Sequence, residues 1–129
     1  MSNRWGVTGG RRFADWNLVA KTIHALPPGV LVHGAAPGAD DLCAKWWTRM
    51  MGRIDDPHPA EWWRCDENCY HAKRTGPDGE NYCPAAGPRR NQEMVDSGLD
   101  LLIAFPGGRG TADMVDRAKR AGIEIRDLR

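Results

Sequence analysis

The apolar run Leu101 to Ala104 leads directly into Phe105-Pro-Gly-Gly-Arg-Gly-Thr111, and a helix-like stretch follows from Ala112 to Ala121. This order of strand, glycine turn and helix constrains the fold more than any other feature of the chain. Such a turn leaves bare backbone N–H groups at the positive end of a helix dipole, a ready site for phosphate or carboxylate. Glycine is expected there because a Cβ blocks close approach and disfavours positive φ. The segment points to a ligand that carries phosphate.

The same grammar recurs upstream. Arg4 to Thr8 reads as a short strand ending at Gly9 and Gly10. Leu18, Val19, Ile23 and Leu26 share one face of a helix over 14–26, which Pro27, Pro28 and Gly29 end. Val30 to His33 is a second strand, Gly34 to Gly38 a second glycine turn, and Ala39 to Met51 a helix. A weak third strand is expected within 53–60, near Arg53-Ile-Asp55. Asn91 to Ser97 is helix-like and is expected to begin just after Pro88. A strand over Leu99 to Phe105 precedes a helix over Thr111 to Ala121, which Gly122 stops, and Ile123 to Arg126 closes the chain as a strand.

Short apolar strands alternating with helices imply βαβ units and a parallel sheet. The expected fold class is α/β: one three-layer Rossmann-like domain over 1–129, with a mainly parallel sheet of about five strands. Ligands in such sheets bind beyond the strand carboxyl ends, and all three glycine turns leave strand carboxyl ends. They are expected to line one rim.

Lys and Arg total 18 against 17 Asp and Glu. That near-neutral balance carries no footprint for duplex nucleic acid, so a nucleic-acid partner is not expected. No stretch approaches the ~20 apolar residues that span a bilayer, and residues 1–5 lack a signal-peptide core, so a cytoplasmic protein with no membrane partner is expected. Six tryptophans include the pairs Trp46-Trp47 and Trp62-Trp63. They read as core aromatics or as a wall for a nucleobase.

Each turn supplies candidate ligand-binding residues. In the first, Gly9 and Gly10 allow a tight exit and Arg11 or Arg12 can meet an anion with a planar fork of donors. In the second, Gly34 and Gly38 bracket small residues, and Asp40 or Asp41 is either a helix cap or an acceptor for ribose hydroxyls. His33 reads as a general base or as a structural histidine. In the third, Pro106, Gly107, Gly108 and Gly110 form the cradle, Arg109 can cover the phosphate, and Thr111 is a cap or a phosphate ligand.

Residues 61–87 are rich in Cys, Gly, Pro and charge and show no periodicity, which calls for a staple. Cys65, Cys69, His71 and Cys83 suit a closed tetrahedral structural zinc; unbound thiols and disulfides are the alternatives. Such a staple would hold Arg89 and Arg90 over the rim. Cys43 reads as a small core residue, and His24 and His58 lack ligand-like neighbours.

Thr8-Gly-Gly-Arg-Arg-Phe13, Val32-His-Gly-Ala-Ala-Pro-Gly-Ala-Asp40, Gly87-Pro-Arg-Arg-Asn-Gln-Glu-Met94 and Phe105-Pro-Gly-Gly-Arg-Gly-Thr-Ala-Asp113 together resemble the SLOG superfamily, within it the YspA-like, YpsA-related branch found in bacteria and phages. The resemblance implies a Rossmann-like domain that binds a nucleotide or nucleotide-derived small molecule, and a homodimer. It extends distantly to the Lonely Guy phosphoribohydrolases and to the DNA-processing competence protein. Pro106, Gly107, Gly108, Gly110 and Thr111 match the Lonely Guy phosphate-binding string. The glutamate of that string is Met114 here, with Asp113 one residue earlier as the candidate catalytic carboxylate. Arg90 matches the arginine of an Arg-Lys pair, and Asn91 stands in place of the lysine. The resemblance thus implies either a binding module, sensing or sequestering a nucleotide, or a nucleoside-monophosphate phosphoribohydrolase.

Overall fold

A computed structural model of the protein describes residues 3–64, 74–75 and 81–129. Five parallel strands form one sheet: β1 (Asn3–Thr8), β2 (Gly29–His33), β3 (Asp55–Pro57), β6 (Leu101–Ala104) and β7 (Ile125–Asp127). Their order is β3-β2-β1-β6-β7. The chain thus runs outward from β1 on one side, then crosses back to β6 on the other. The switch point lies between β1 and β6, where Trp5 to Thr8 pair with Leu101 to Ala104. In such a sheet the crevice beyond the carboxyl ends at this point is where ligands bind.

Helices cover both faces. α1 (Trp16–His24) and α2 (Ala39–Lys45) pack on one side, where Val19, Ile23, Cys43 and Trp47 meet Val7, Leu31 and Phe105. α3 (Ala86–Asp96) and α4 (Arg109–Arg120) cover the other, where Met94, Met114, Val115 and Ala118 meet Val32, Leu102 and Ala104. β6 is buried along its whole length, as a strand sandwiched between helix layers must be. Asp15 starts α1, its carboxylate accepting from the Leu18 amide at 3.0 Å.

The expected α/β architecture with a parallel sheet is present. Several boundaries differ, each for a physical reason. The helix expected to run from Ala39 to Met51 widens after Lys45 into a π-helical turn, Trp46–Met50, where the Met51 amide reaches the Trp46 carbonyl. There Trp47 is fully buried and its indole N–H holds the Ile54 carbonyl at 2.8 Å. The third strand is Asp55–Pro57, inside the stretch 53–60 expected to hold it. α3 starts at Ala86, with Pro88 inside its first turn, where a missing N–H costs no helical bond. α4 starts at Arg109, inside the glycine string. After it Gly122 (φ +76°) and the Ile123 amide, bonded to Ala118, close the helix and delay β7 to Ile125.

The cysteine-rich stretch contains a two-stranded antiparallel ladder, β4 (Arg74–Thr75) with β5 (Asn81–Tyr82), where the sequence shows no periodicity. Cys65, Cys69 and His71 lie outside the described residues; Cys83 is buried beside Ala60 and Ala86. Among the described residues no group of three or more His, Cys, Asp or Glu is placed to hold a metal. Among them also, no helix is long and apolar enough to cross a membrane.

Candidate functional site

The three glycine turns meet at the rim beyond β1, β2 and β6. A cleft of about 110 Å3 opens there, lined among others by Gly9, Gly10, Arg11, Gly34, Asp40, Arg90, Asn91, Gly108, Gly110 and Thr111. Most of the candidate ligand-binding residues thus converge, although they come from four separate stretches of sequence.

The glycines divide by what a side chain would meet. A Cβ on Gly9 would lie 3.0 Å from that of Phe105 and strike that of Ala39. On Gly10 it would sit 3.1 Å from the Gly107 Cα. On Gly107 it would strike the Thr111 hydroxyl and lie 2.6 Å from the Gly10 nitrogen. These glycines let the first and third turns pack backbone to backbone. Gly38 (φ +83°) is excluded from a Cβ by the Gly10 carbonyl and does not line the cleft. Gly108 and Gly110 differ: a Cβ on either would meet nothing within 4 Å. None of Gly107, Gly108 and Gly110 has positive φ. The expected need for a left-handed backbone in this turn is therefore corrected; of its three glycines Gly107 alone is needed for clearance.

α4 begins bare. Gly108 caps it without a side-chain hydrogen bond, and its first turn holds no acidic residue. Among the described residues nothing accepts from the amides of Arg109, Gly110 or Thr111. Thr111 is the third residue of the helix and buried, so it is not the cap. Arg109, the first residue of α4, is exposed and outside the cleft lining, as is Pro106, which with Gly107 belongs to a neighbouring open shelf.

Two guanidiniums flank the cleft. Arg90 is half-buried, with Nη1 donating to the Gly34 carbonyl at 2.5 Å and Nε to the Asn91 side-chain oxygen at 3.0 Å. Burial lowers its pKa, Asp40 opposes that, and the nearby positive charge of Arg11 adds to it. Arg11 lies over the Trp62 ring, 5.5 Å from its centroid, and so is held by a cation–π contact. Arg89 instead turns to the cysteine-rich stretch, donating to the Arg64 carbonyl at 2.6 Å and to the Cys83 sulfur at 3.6 Å.

Asp40 is the acidic residue of the lining. Its Oδ2 accepts from the Gly34 amide at 3.1 Å and the Ala36 amide at 3.4 Å, bracing the second turn. It does not cap α2, which has no side-chain cap at all. Its Oδ1 is buried and has no hydrogen-bond partner among the described residues. Burial raises the Asp40 pKa, against the pull of His33, Arg90 and the two amides. Within the turn Ala35 holds φ +55°, a strained conformation for a residue with a Cβ. The Ala35 amide donates to His33 Nδ1 at 3.0 Å, so the ring proton sits on Nε2, 2.7 Å from Asp55. Both ring nitrogens are occupied, which makes His33 a structural histidine and not a base.

Asp113, the candidate catalytic residue, does not line the cleft. Its carboxylate accepts from Asn91 and Arg117, each at 2.9 Å. Burial pushes its pKa up, but these hydrogen bonds outweigh it and the pKa is lowered. Asn91 thereby joins Arg90 to α4, a positioning role carried out from inside the wall. Met114, at the place of the Lonely Guy glutamate, is fully buried in the core.

Sequence reasoning missed Trp62 as the support of Arg11, and Phe13 as a residue that borders the open shelf. Nothing local in the sequence signals either, because the contacts bridge distant segments. Trp47 belongs to the core and Trp5 and Trp46 pack against it, whereas Trp16 and Trp63 are exposed; none lines the cleft.

No protein-family model matches the chain. It is similar to the Gene 61 protein of Mycobacterium phage D29, with 37% identity over 130 residues, covering 92% of this chain and 90% of that protein.

Proposed function

The chain belongs to the family of the Gene 61 protein of Mycobacterium phage D29, and we propose that it binds a nucleotide or nucleotide-derived, phosphate-containing ligand in the rim cleft, as a sensor or sequestering module. One observation carries the reading. Gly108 and Gly110 have open space where a side chain would stand, so the protein's own packing does not require glycine there. Both line the cleft at the uncapped start of α4, with Arg11 and Arg90 in the same lining. Bare amides, a positive helix end and two cations in one cleft are complementary to a phosphate. The likeness of the four motifs to the SLOG superfamily supports the same reading.

Titration calorimetry with nucleoside monophosphates tests it. Binding that weakens sharply in Gly110→Glu, which fills the cradle with negative charge, is the expected result; a Gly110→Glu protein that binds as the parent does would refute it.

The phosphoribohydrolase reading has one observation in its favour. N-glycoside cleavage needs a carboxylate beside the ribose, and Asp40 lines the cleft whereas Asp113 does not. Release of free base from nucleoside monophosphates, lost in Asp40→Asn, tests it.

Structural zinc at Cys65, Cys69, His71 and Cys83 belongs to the same proposal. Cys83 fits it as a buried sulfur that accepts from the Arg89 guanidinium at 3.6 Å.

A further inference from the structure

We infer that Trp62, from the cysteine-rich stretch, sets the ligand affinity of the rim cleft by holding Arg11 at its edge with the N–H donors free, a positioning role that rests on the phosphate-binding reading above and deepens it.

Arg11 is exposed and lines both the cleft and the open shelf beside it. Among the described residues its guanidinium makes no hydrogen bond and no ion pair; it lies over the Trp62 ring, 5.5 Å from the centroid. Two effects work against that placement. A long exposed arginine loses much rotamer freedom when it is fixed. Arg90 also stands near enough that the charge of Arg11 helps to lower the Arg90 pKa, so the two cations repel.

Trp62 opposes both effects. The negative face of an indole attracts a cation without bringing a formal charge of its own. A carboxylate in its place would neutralise Arg11 and occupy the fork of donors that a phosphate needs. The ring holds the guanidinium and leaves its charge and its hydrogen-bonding edge for a ligand. An anchor already in position adds affinity because less freedom is lost on binding.

The ring can do this because it is itself fixed. The Trp62 carbonyl accepts from the Cys83 amide at 2.6 Å. Tyr82 of β5 packs edge-on against the indole, with centroids 6.1 Å apart. The other support is Gly87, in the first turn of α3, where a Cβ would lie 3.2 Å from the indole Cη2. Gly87 has no positive φ, and glycine weakens a helix relative to alanine; here it leaves room for the tryptophan. Trp62 does not line the cleft, so its effect on a ligand passes through Arg11. It also stands outside the four motifs that form the rim. The affinity of the cleft thus draws on a segment that none of the glycine turns contains.

Calorimetric titration with inorganic phosphate and the four common ribonucleoside 5′-monophosphates tests this on the parent, Trp62→Leu, Trp62→Phe, Arg11→Ala and the double variant Trp62→Leu with Arg11→Ala. Trp62→Leu is expected to weaken the tightest-binding probe about fivefold or more, and Trp62→Phe, which keeps a ring face, to stay within about threefold of the parent. In the Arg11→Ala background Trp62→Leu is expected to change affinity less than about twofold. A loss of the same size in both backgrounds overturns the inference and leaves the anion cradle in place. So does a Trp62→Leu protein that binds as tightly as the parent or more tightly, or a Trp62→Phe protein as weak as Trp62→Leu.

A spectroscopic readout decides the matter if Trp62→Leu does not fold. Fluorine NMR of fluorotryptophan-labelled protein resolves the indoles, and Trp62→Phe identifies the signal of residue 62 by its loss. That signal is expected to shift when phosphate saturates the parent and to stay in place in Arg11→Ala. No shift in the parent, or an equal shift in Arg11→Ala, overturns the inference. Absence of binding by every probe refutes the phosphate reading beneath it, and this role with it.

Discussion

The amide of Gly10 donates to the carbonyl of Pro106 at 2.9 Å, joining the turn after β1 to the turn after β6. The bond exists because β1 and β6 are neighbours in the sheet although about 90 residues separate them in the sequence. It brings the arginine-bearing first turn beside the glycine string that opens α4.

The two kinds of glycine at this joint predict opposite behaviour. Gly107→Ala forces a methyl into the Thr111 hydroxyl and the Gly10 nitrogen. It is expected to cost about 1–3 kcal/mol of stability, as overpacked sites do. Gly110→Glu meets open space and adds an acidic residue to an uncapped first turn, so stability is expected to hold or rise while phosphate binding is lost. Urea denaturation of both variants, set against calorimetric affinity, checks the pair.

Arg90→Ala is expected to weaken nucleotide binding by about 1.5–3 kcal/mol, the range for a charge-assisted hydrogen bond. Arg90→Lys should recover little, because an ammonium does not reproduce the fork that spans the Gly34 carbonyl and the Asn91 side chain. Affinities of both variants for one ribonucleotide decide this.

Asp40 has a folded pKa above its unfolded value. The folded state therefore holds its proton more tightly, and stability falls as pH rises from about 4, the unfolded value, through the folded pKa. Asp40→Asn removes that loss. The ligand-free variant is expected to be more stable than the parent at pH 7 and equal to it at low pH. Thermal or urea denaturation across pH 3–8 reads the difference; a variant less stable at neutral pH would contradict the assignment.

Asp113 has the opposite sign. Its folded pKa is lowered, so its contribution is complete above about pH 4, the unfolded value, and is lost as pH falls through the lower folded value. Asp113→Asn should flatten the acid limb of the stability curve. Its effect on binding should come only through Asn91, which loses an acceptor at 2.9 Å. A stability curve unchanged below pH 4 would show that the Asn91–Asp113–Arg117 chain contributes nothing.

Elemental analysis of purified protein is expected to find stoichiometric zinc, reduced in Cys83→Ser. Chelation that removes the metal should lower nucleotide affinity, since Arg89 ties Cys83 and Arg64 to the start of α3, where Arg90 sits. Metal-free protein of unchanged affinity would separate the cysteine-rich stretch from the cleft.

The sequence by itself determined the layered parallel architecture and the rim. Each strand, glycine turn and helix is a local pattern, and crossovers that keep the strands parallel leave their carboxyl ends on the same side. Gly9, Gly34 and Gly108 were legible as rim residues on those grounds. The tertiary structure decided what each glycine is for, because that depends on which backbone lies opposite: Gly10 against Gly107, open space against Gly110. It also decided the fate of the acids. Asp113 and Asp40 look equivalent as residues near the start of a helix. Packing turns Asp113 into the wall toward Asn91 and Arg117, and leaves Asp40 buried with one oxygen unpartnered among the described residues. Pairing and burial are properties of neighbours distant in the chain, and no local spacing encodes them.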